Sequence, residues 1–511
     1  MIKKYVVGDD GVTMEFDKVE GTVELYSTGG TLWPDWLERA GIERGKIRSI
    51  HVEKGKVYLP EDTRGRGTYC TYFGSREYYI FGNLYNMRMI DMAGFDTSNV
   101  KNMQCMFYNC GELKTLDMDG IDTSGVTNMS SMFEGCRSLN DIRLKKMDTS
   151  NVVNMEKMFY DCVNLKGLDL SNLNTSKVTN MSGMFYNCGK LEEIDPHRWN
   201  TSNVTDMRYM FWRCRRLTSL NLSNFDTSMV TDMRGMFMSC ENLRDLDLSS
   251  FNTSCVTNMC GMFSGCCGIT DLDLSSFDTS RVTDMNEMFY NCHSLTGLDL
   301  SNFDTSNVTN MRSMFAECDN LTNLDLKEMN THRVTDMGLM FTGCKELTSL
   351  VLGNFDTSMV TDMSHMFYRC QSMTNLNLSS FDTAKVVGME CMFMDCRNLK
   401  ELDLSGFDTS NVTDMRSMFY NCSGLTDIDL SNFDTSRVTN MEYMFYSCKG
   451  LTELNINSFD TSNVTSINRM FCDCENLGQI RMCPTVNPGA NTDGAFRNCK
   501  ADIVLSTSGK S

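Results

Sequence analysis

The stretch Phe407-Asp-Thr-Ser-Asn-Val-Thr-Asp-Met-Arg-Ser-Met-Phe-Tyr-Asn-Cys422, followed by Ser-Gly-Leu425-Thr-Asp-Ile428-Asp-Leu430, decides the fold, because most of the chain copies it. The cysteine that closes Met-Phe-x-x-Cys recurs at Cys110, Cys136, Cys162, Cys188, Cys214, Cys240, Cys266, Cys292, Cys318, Cys344, Cys370, Cys396, Cys422, Cys448 and Cys474. From Cys110 to Cys474 is 364 residues, fourteen steps of 26 without a slip. A fixed period of that length marks a solenoid, in which each unit buries its apolar edge against its neighbours.

Two periodicities alternate within a unit. Leu425, Ile428 and Leu430 stand where a short strand points them inward, and identical units entering and leaving the same way must stack their strands in parallel. Val412, Met415, Phe419 and Cys422 follow at steps of three, four and three, which predicts a short helix. Ser410 is placed to cap that helix and Asp414 falls in its first turn. The expected fold is therefore an α/β solenoid, a right-handed arc with a parallel β-sheet on the concave side, short helices on the convex side and capped ends.

Residues 1–80 differ in kind. Val12–Phe16 and Gly21–Tyr26 alternate apolar and polar residues as half-buried strands do, and Trp33 and Trp36 lay two indoles on something apolar. This segment reads as an N-terminal cap, residues 81–482 as the solenoid, and residues 483–511 as a C-terminal cap and short tail. Tyr79–Met92 is a worn first repeat with Met87, Ile90 and Met92 at the strand positions. Beyond Pro484 and Pro488, Ala501–Leu505 supplies a closing strand, and the last six residues are expected to be disordered.

Composition excludes some functions. The chain of 511 residues carries 47 Lys plus Arg against 66 Asp plus Glu, a formal charge of −19, which repels phosphate backbones and argues against nucleic acid. A basic protein partner or a cation suits such a surface better. The sixteen repeat cysteines, counting Cys499, are expected to be reduced and buried in a column. The other eight, Cys70, Cys105, Cys255, Cys260, Cys267, Cys391, Cys472 and Cys483, follow no period. So many thiols favour a reducing or anaerobic setting. Met1–Asp10 lacks an apolar h-region and is not expected to be a secretory signal, and no run reaches membrane-spanning length.

The unit Phe-x-x-Cys-x-x-Leu-x-x-Ile/Leu-x-Leu, preceded by Asn/Ser-Phe-Asp-Thr-Ser-x-Val-Thr-Asp-Met, resembles the BspA-like leucine-rich-repeat proteins, in their branch with 26-residue repeats. The match covers residues from about 81 to 505, and the start of the chain resembles the strand-rich start of such proteins. The resemblance implies surface display and binding of proteins, such as host matrix components or other cells. The missing export signal and the thiols imply instead a cytoplasmic scaffold or sensor, so localisation is left open.

Three sets of residues stand out. The position between the last two apolar strand residues points outward and holds Asp117, Asp169, Asp195, Asp247, Asp273, Asp299, Asp325, Asp403 and Asp429, with Asn221, Asn377 and Asn455 interspersed. Stacked like charges repel, so the column reads either as a groove for cations or a basic partner, or as a solvated face inherited by duplication. Arg143, Val351 and Arg481 interrupt it and would localise a partner. The Asp-Thr-Ser turns, from Asp96 to Ser462, read as residues that bond their own backbone. Calcium is a lesser alternative, since these units lack the glycine pattern of calcium-binding solenoids. The third set is an aromatic row after Met-Phe: Tyr108, Tyr160, Tyr186, Trp212, Tyr290, Tyr368, Tyr420 and Tyr446. It reads as a contact surface or as packing between turns.

Catalysis has little to stand on. His51, His197, His293, His332 and His365 occupy unrelated repeat positions, and neither a metal-ligand spacing nor a phosphate loop appears. The reading is a non-enzymatic recognition or adhesion module without cofactor, acting through the acidic face or its rims. Alternatives are an intracellular scaffold and, third, calcium-dependent surface assembly.

Overall fold

The computed structural model describes residues 2–64, 79–353, 355–483 and 487–505. Cys70, Pro484 and the last six residues, on which expectations were stated, lie outside the described residues. The chain divides into two compact units, Met1–Cys255 and Val256–Ser511. Each is a β-solenoid with little helix, with about 18 turns in all.

The first unit opens with strands β1 (Ile2–Val6), β2 (Thr13–Asp17) and β3 (Thr22–Tyr26), paired antiparallel, then helix α1 (Trp36–Ala40) and strand β4 (Ser49–Lys54). β4 runs parallel to β3 and to Met89–Ile90, with Ile50 facing Ile90, and so turns the antiparallel start into parallel stacking. Only one of the two indoles is buried. Trp36 is enclosed and donates from Nε1 to the carbonyl of Ile80 at 2.8 Å, whereas Trp33 stays half-exposed, bonded to Asp9 and lying under Arg39. The difference is one of partners: a buried indole needs an acceptor at that depth, and only Trp36 reaches one.

The repeats carry very short strands. In the second unit Asn323–Asp325 lies parallel to Ser349–Val351, with Leu324 opposite Leu350, one period on. The leucines point in and their flanking residues out, as the period-two pattern demands. At the far end Asp502–Leu505 pairs parallel with Gln479–Met482 and supplies the expected closing strand.

The expected short helices are absent from the repeats among the described residues. From Met415 to Cys422 the backbone instead alternates two kinds of bond. The N–H groups of Met418, Tyr420 and Cys422 turn back three residues, to the carbonyls of Met415, Ser417 and Phe419. Those of Met415, Ser417, Phe419 and Asn421 reach forward to Asn440, Glu442, Met444 and Tyr446 of the next repeat, at 2.7–3.0 Å. Ser417 and Asn421 have φ of 54° and 56°. Left-handed residues four apart break a right-handed helix twice per repeat, and tight turns at that interval return an apolar side chain inward as often as a helix would. Ser410 accordingly caps nothing helical; its N–H donates to Asp408 Oδ1 at 2.9 Å, and Asp414 Oδ1 accepts from the N–H of Arg416. Cys105 and Cys391, which seemed to follow no period, both occupy the first of these left-handed positions.

Inside each unit like residues line up in columns. Val412, Met415, Met418, Phe419, Cys422 and Leu425 are all buried, as are their equivalents in neighbouring repeats. The phenylalanines stack, with Phe315, Phe341 and Phe367 at centroid separations of 5.8 and 5.5 Å. The column cysteines are free, and those from Cys292 to Cys474 donate to a phenylalanine carbonyl of the preceding turn, as Cys370 does to Phe341 at 3.2 Å, whereas Cys499, expected in the same buried column, is only half-buried. Burial pushes the thiols of Cys318 and Cys396 up to about 12.

The buried threonine of Asp-Thr-Ser ties turn to turn. Thr383 Oγ1 donates to the carbonyl of Asp408 and accepts from its N–H, both at 2.8 Å, with Thr383 fully enclosed. Valine fills the same volume but can do neither. Thr383→Val is therefore expected to cost about 1–3 kcal/mol for each group it orphans. Thr383→Ser should cost much less. Denaturant midpoints of the two variants check this, and equal midpoints would mean that the hydroxyl does no bridging.

Candidate functional site

All the singled-out strand-face residues are exposed, although Asp273, Asp299 and Asp429 lie where the backbone forms no strand and Asp169 and Asp195 just past the end of theirs. Their chemistry is more local than a column of bare charge. The Oδ1 of Asp273, Asp299, Asp403 and Asp429 each accepts the N–H of the serine two residues on, at 2.9–3.0 Å. Asp117, Asp169, Asp195, Asp247 and Asp325 make the same bond to the residue two on. So do Asn221, Asn377 and Asn455. Asparagine presents the same oxygen as aspartate, which explains why the two interchange at this place. Serine hydroxyl and N–H donors hold the carboxyls of Asp273 and Asp403 below the usual carboxylate range, and at Asp299 and Asp429 the serine N–H contributes most. Donors aimed at the ionised form offset the repulsion between stacked carboxylates.

The interruptions differ from one another. Arg143 Nη1 reaches Asp117 Oδ2 of the preceding strand at 3.2 Å. Arg481 Nε bonds Gln479, and Val351 leaves an apolar side chain 42% exposed. The Asp-Thr-Ser turns use their carboxylates the same way: Asp96, Asp226 and Asp460 accept the N–H of Ser98, Ser228 and Ser462. A third turn of this kind closes at Asp284, Asn310 and Asp336, which accept from Asn286, Arg312 and Gly338.

The aromatic row breaks into separate groups. Tyr160 and Tyr186 stack face to face at 4.1 Å, and Trp212 meets Tyr186 edge-on at 4.7 Å. Tyr420 and Tyr446 stack at 4.7 Å. A hydrogen bond to Asp473 pushes the Tyr446 phenol up to about 12. Tyr108 packs near Tyr79, Tyr368 near His365 and Arg369, and Tyr290 stands exposed. Two tyrosines missed in the sequence join these groups. Tyr209 lies 4.9 Å from Trp212, and Tyr443 lies 5.9 Å from Tyr446. Both sit at left-handed positions, φ 58° and 57°, three residues before the row. The signal available was the run Arg208-Tyr-Met-Phe-Trp-Arg-Cys-Arg-Arg216, with four arginines in a strongly acidic chain.

The histidines make separate local contacts. His197 Nδ1 lies 2.7 Å from Asp195, His293 Nδ1 lies 3.2 Å from Asp319, and His332 Nδ1 lies 2.7 Å from Asn330. Burial lowers the pKa of His365. Among the described residues no three His, Cys, Asp or Glu side chains gather in a way that could hold a metal ion, and no helix is long and apolar enough to cross a membrane.

A family model described as DUF285, Mycoplasma protein of unknown function, matches the chain in overlapping tandem segments from residues 78–193 through 389–502. The chain belongs to the DUF285 family. Its DUF285 repeats are similar to several solved leucine-rich repeat structures at low identity. One, from Bacteroides ovatus, is 16% identical over 97% of this chain and 92% of its own, with a TM-score of 0.35. A second, from Eubacterium ventriosum, is 15% identical over 87% and 94%, with a TM-score of 0.30. A leucine-rich cell surface protein from Faecalibacterium prausnitzii is 16% identical over 94% and 95%, with a TM-score of 0.24. No curated protein matches the chain.

Proposed function

We propose that this DUF285 protein is a non-enzymatic protein-recognition module of the BspA-like kind, which binds a partner through the exposed strand face or its rims. The observation that carries the reading is a separation of roles within each repeat. Buried positions repeat with little change, while the outward strand positions vary: Asn323, Ser349, Asn375 and Glu401 at one exposed place, and Asp325, Val351, Asn377 and Asp403 two residues on. A constant scaffold that presents a variable surface is how repeat proteins carry binding specificity. Adhesion is the form of this activity that the repeat motif favours.

The turn chemistry supplies a clean test. Asparagine keeps the same oxygen acceptor, so Asp273→Asn, Asp299→Asn and Asp325→Asn together remove three negative charges and leave the turns closed. The triple variant is expected to keep the wild-type melting temperature and to lose most of the protein that the wild type recovers in a pull-down. Undiminished recovery with an unchanged melt would remove the acidic face from the interface.

A further inference from the structure

The first unit holds a cleft of about 370 Å³ lined by Lys157, Tyr160, Gly183, Tyr186, Tyr209 and Trp212, among others. Its origin is a missing side chain. At the first left-handed position, side chains lean onto the next repeat. A Cβ on Gly183 would meet Lys157 Cγ at 3.3 Å, and one on Gly235 would meet the Tyr209 ring at 2.5 Å. Gly183 has nothing to lay across Tyr209, so a slot opens beside that ring. The volume lies at the small end of the range of ~300–1,000 Å³ usual for ligand pockets, which suits one side chain with its flanking backbone.

The charged groups around the slot, whose wall holds Glu156 beside Lys157 and Arg208, pair off with one exception. Arg215 and Arg216 are neutralised by Glu241 and Glu192 at 3.1 and 2.9 Å, Arg208 by Asp206 at 3.2 Å, and Lys157 by Glu156 at 3.5 Å. Arg213 is exposed, lies 5.6 Å over the Trp212 ring, and makes no ion pair among the described residues. Tyr160 and Tyr186 cover each other's faces, so what they present outward is ring edge, the electropositive part of an aromatic. The indole N–H of Trp212 is buried in the wall with no acceptor in the protein. A guanidinium, ring edges and an orphan donor together call for an electron-rich, anionic occupant. Rings stacked on each other offer little flat platform for a sugar.

We propose that this cleft binds an acidic segment of a protein partner, with one aromatic side chain seated against Tyr209 and Trp212 and its flanking carboxylates on Arg213. The proposal rests on the protein-recognition reading above and gives it a second contact site, with the Arg213 guanidinium at its edge.

The test is fluorescence anisotropy of the full chain with the labelled peptide Glu-Asp-Trp-Glu-Asp. Two repeat-derived variants preserve the backbone. Tyr209→Ser installs the residue found at Ser131, Ser313 and Ser417 with φ of 54–55°, and Arg213→Asn the one found at Asn109, Asn187, Asn291 and Asn421 with φ of 56–61°. The wild type is expected to bind the peptide with a Kd below about 1 mM, Tyr209→Ser about tenfold more weakly and Arg213→Asn about threefold more weakly. Replacing the peptide's Trp with Ala, or its acids with Lys, should abolish binding. The Asp273/Asp299/Asp325→Asn variant should bind like wild type, which separates failure at the cleft from failure at the strand face. Absent peptide binding, equal binding by the cleft variants, or displacement of the peptide by a hyaluronan tetrasaccharide would each overturn the proposal.

Discussion

Raising the pH from 8 to about 11 is expected to unfold the second unit cooperatively, at a midpoint one to two units above the ordinary thiol pKa of about 8.5. Its column cysteines Cys292, Cys318, Cys344, Cys370, Cys396, Cys422, Cys448 and Cys474 are all shifted upward by burial. The direction of the pH effect follows from that shift. A pKa raised by folding supports the fold fully below the unfolded value, and the support is lost as the pH climbs toward the folded value. Each thiol removes about 1.4 kcal/mol per pH unit in that window, and eight acting together remove on the order of 10 kcal/mol per unit. Total stabilities of about 5–15 kcal/mol do not survive that slope for long. Circular dichroism during an alkaline titration, combined with denaturant melts at each pH, reads it directly. Cys344→Ala, Cys370→Ala and Cys396→Ala together should flatten the slope by about 4 kcal/mol per pH unit. Stability unchanged up to pH 11 would show that the thiols ionise within the fold, contrary to their burial.

Phe341→Ala should be among the most damaging single substitutions in the same unit. The ring is fully buried and stacked on Phe315 and Phe367, nearly parallel to both at 4° and 12°. Truncation leaves a cavity between two flat rings that the backbone bonds hold apart, since Phe315 N–H donates to Met340 and Phe341 N–H to Met366. Little collapse is possible, so the cost falls at about 3–5 kcal/mol. For a unit of this size, that lowers the melting temperature by roughly 10 °C. Phe341→Leu keeps most of the volume and should lose less than half as much. Because each repeat contacts only its neighbours, the damage should be local first, with amide exchange rising at Phe315 and Phe367 before it rises elsewhere. A change in melting temperature of under about 2 °C for the alanine variant would contradict the stacked column.

Much of this architecture was legible in the residues. A repeat without slips forces like residues into columns, and the apolar positions Val412, Met415, Phe419 and Cys422 state which side faces inward. The buried thiols, the parallel register of Leu324 with Leu350 and the exposure of Asp325 follow from those two facts. Spacing alone could not say which carbonyl each N–H would choose. Steps of three and four suit a helix, and they equally suit paired tight turns bonded to the next repeat. Ser417 carries no mark of its left-handed backbone, which bonds between repeats hold in place, whereas Asn421 stands in a column made mostly of Asn, Asp and Gly, the residues that adopt such a backbone most readily. The same limit hid the binding of Asp273 and Asp299 to their own turns. What the residue order decided alone is the period and the inside of each turn, since burial depends only on which positions are apolar. The path of the backbone between those positions, and so the groups that meet on its surface, was decided by hydrogen bonds between turns, which exist only once the turns are stacked.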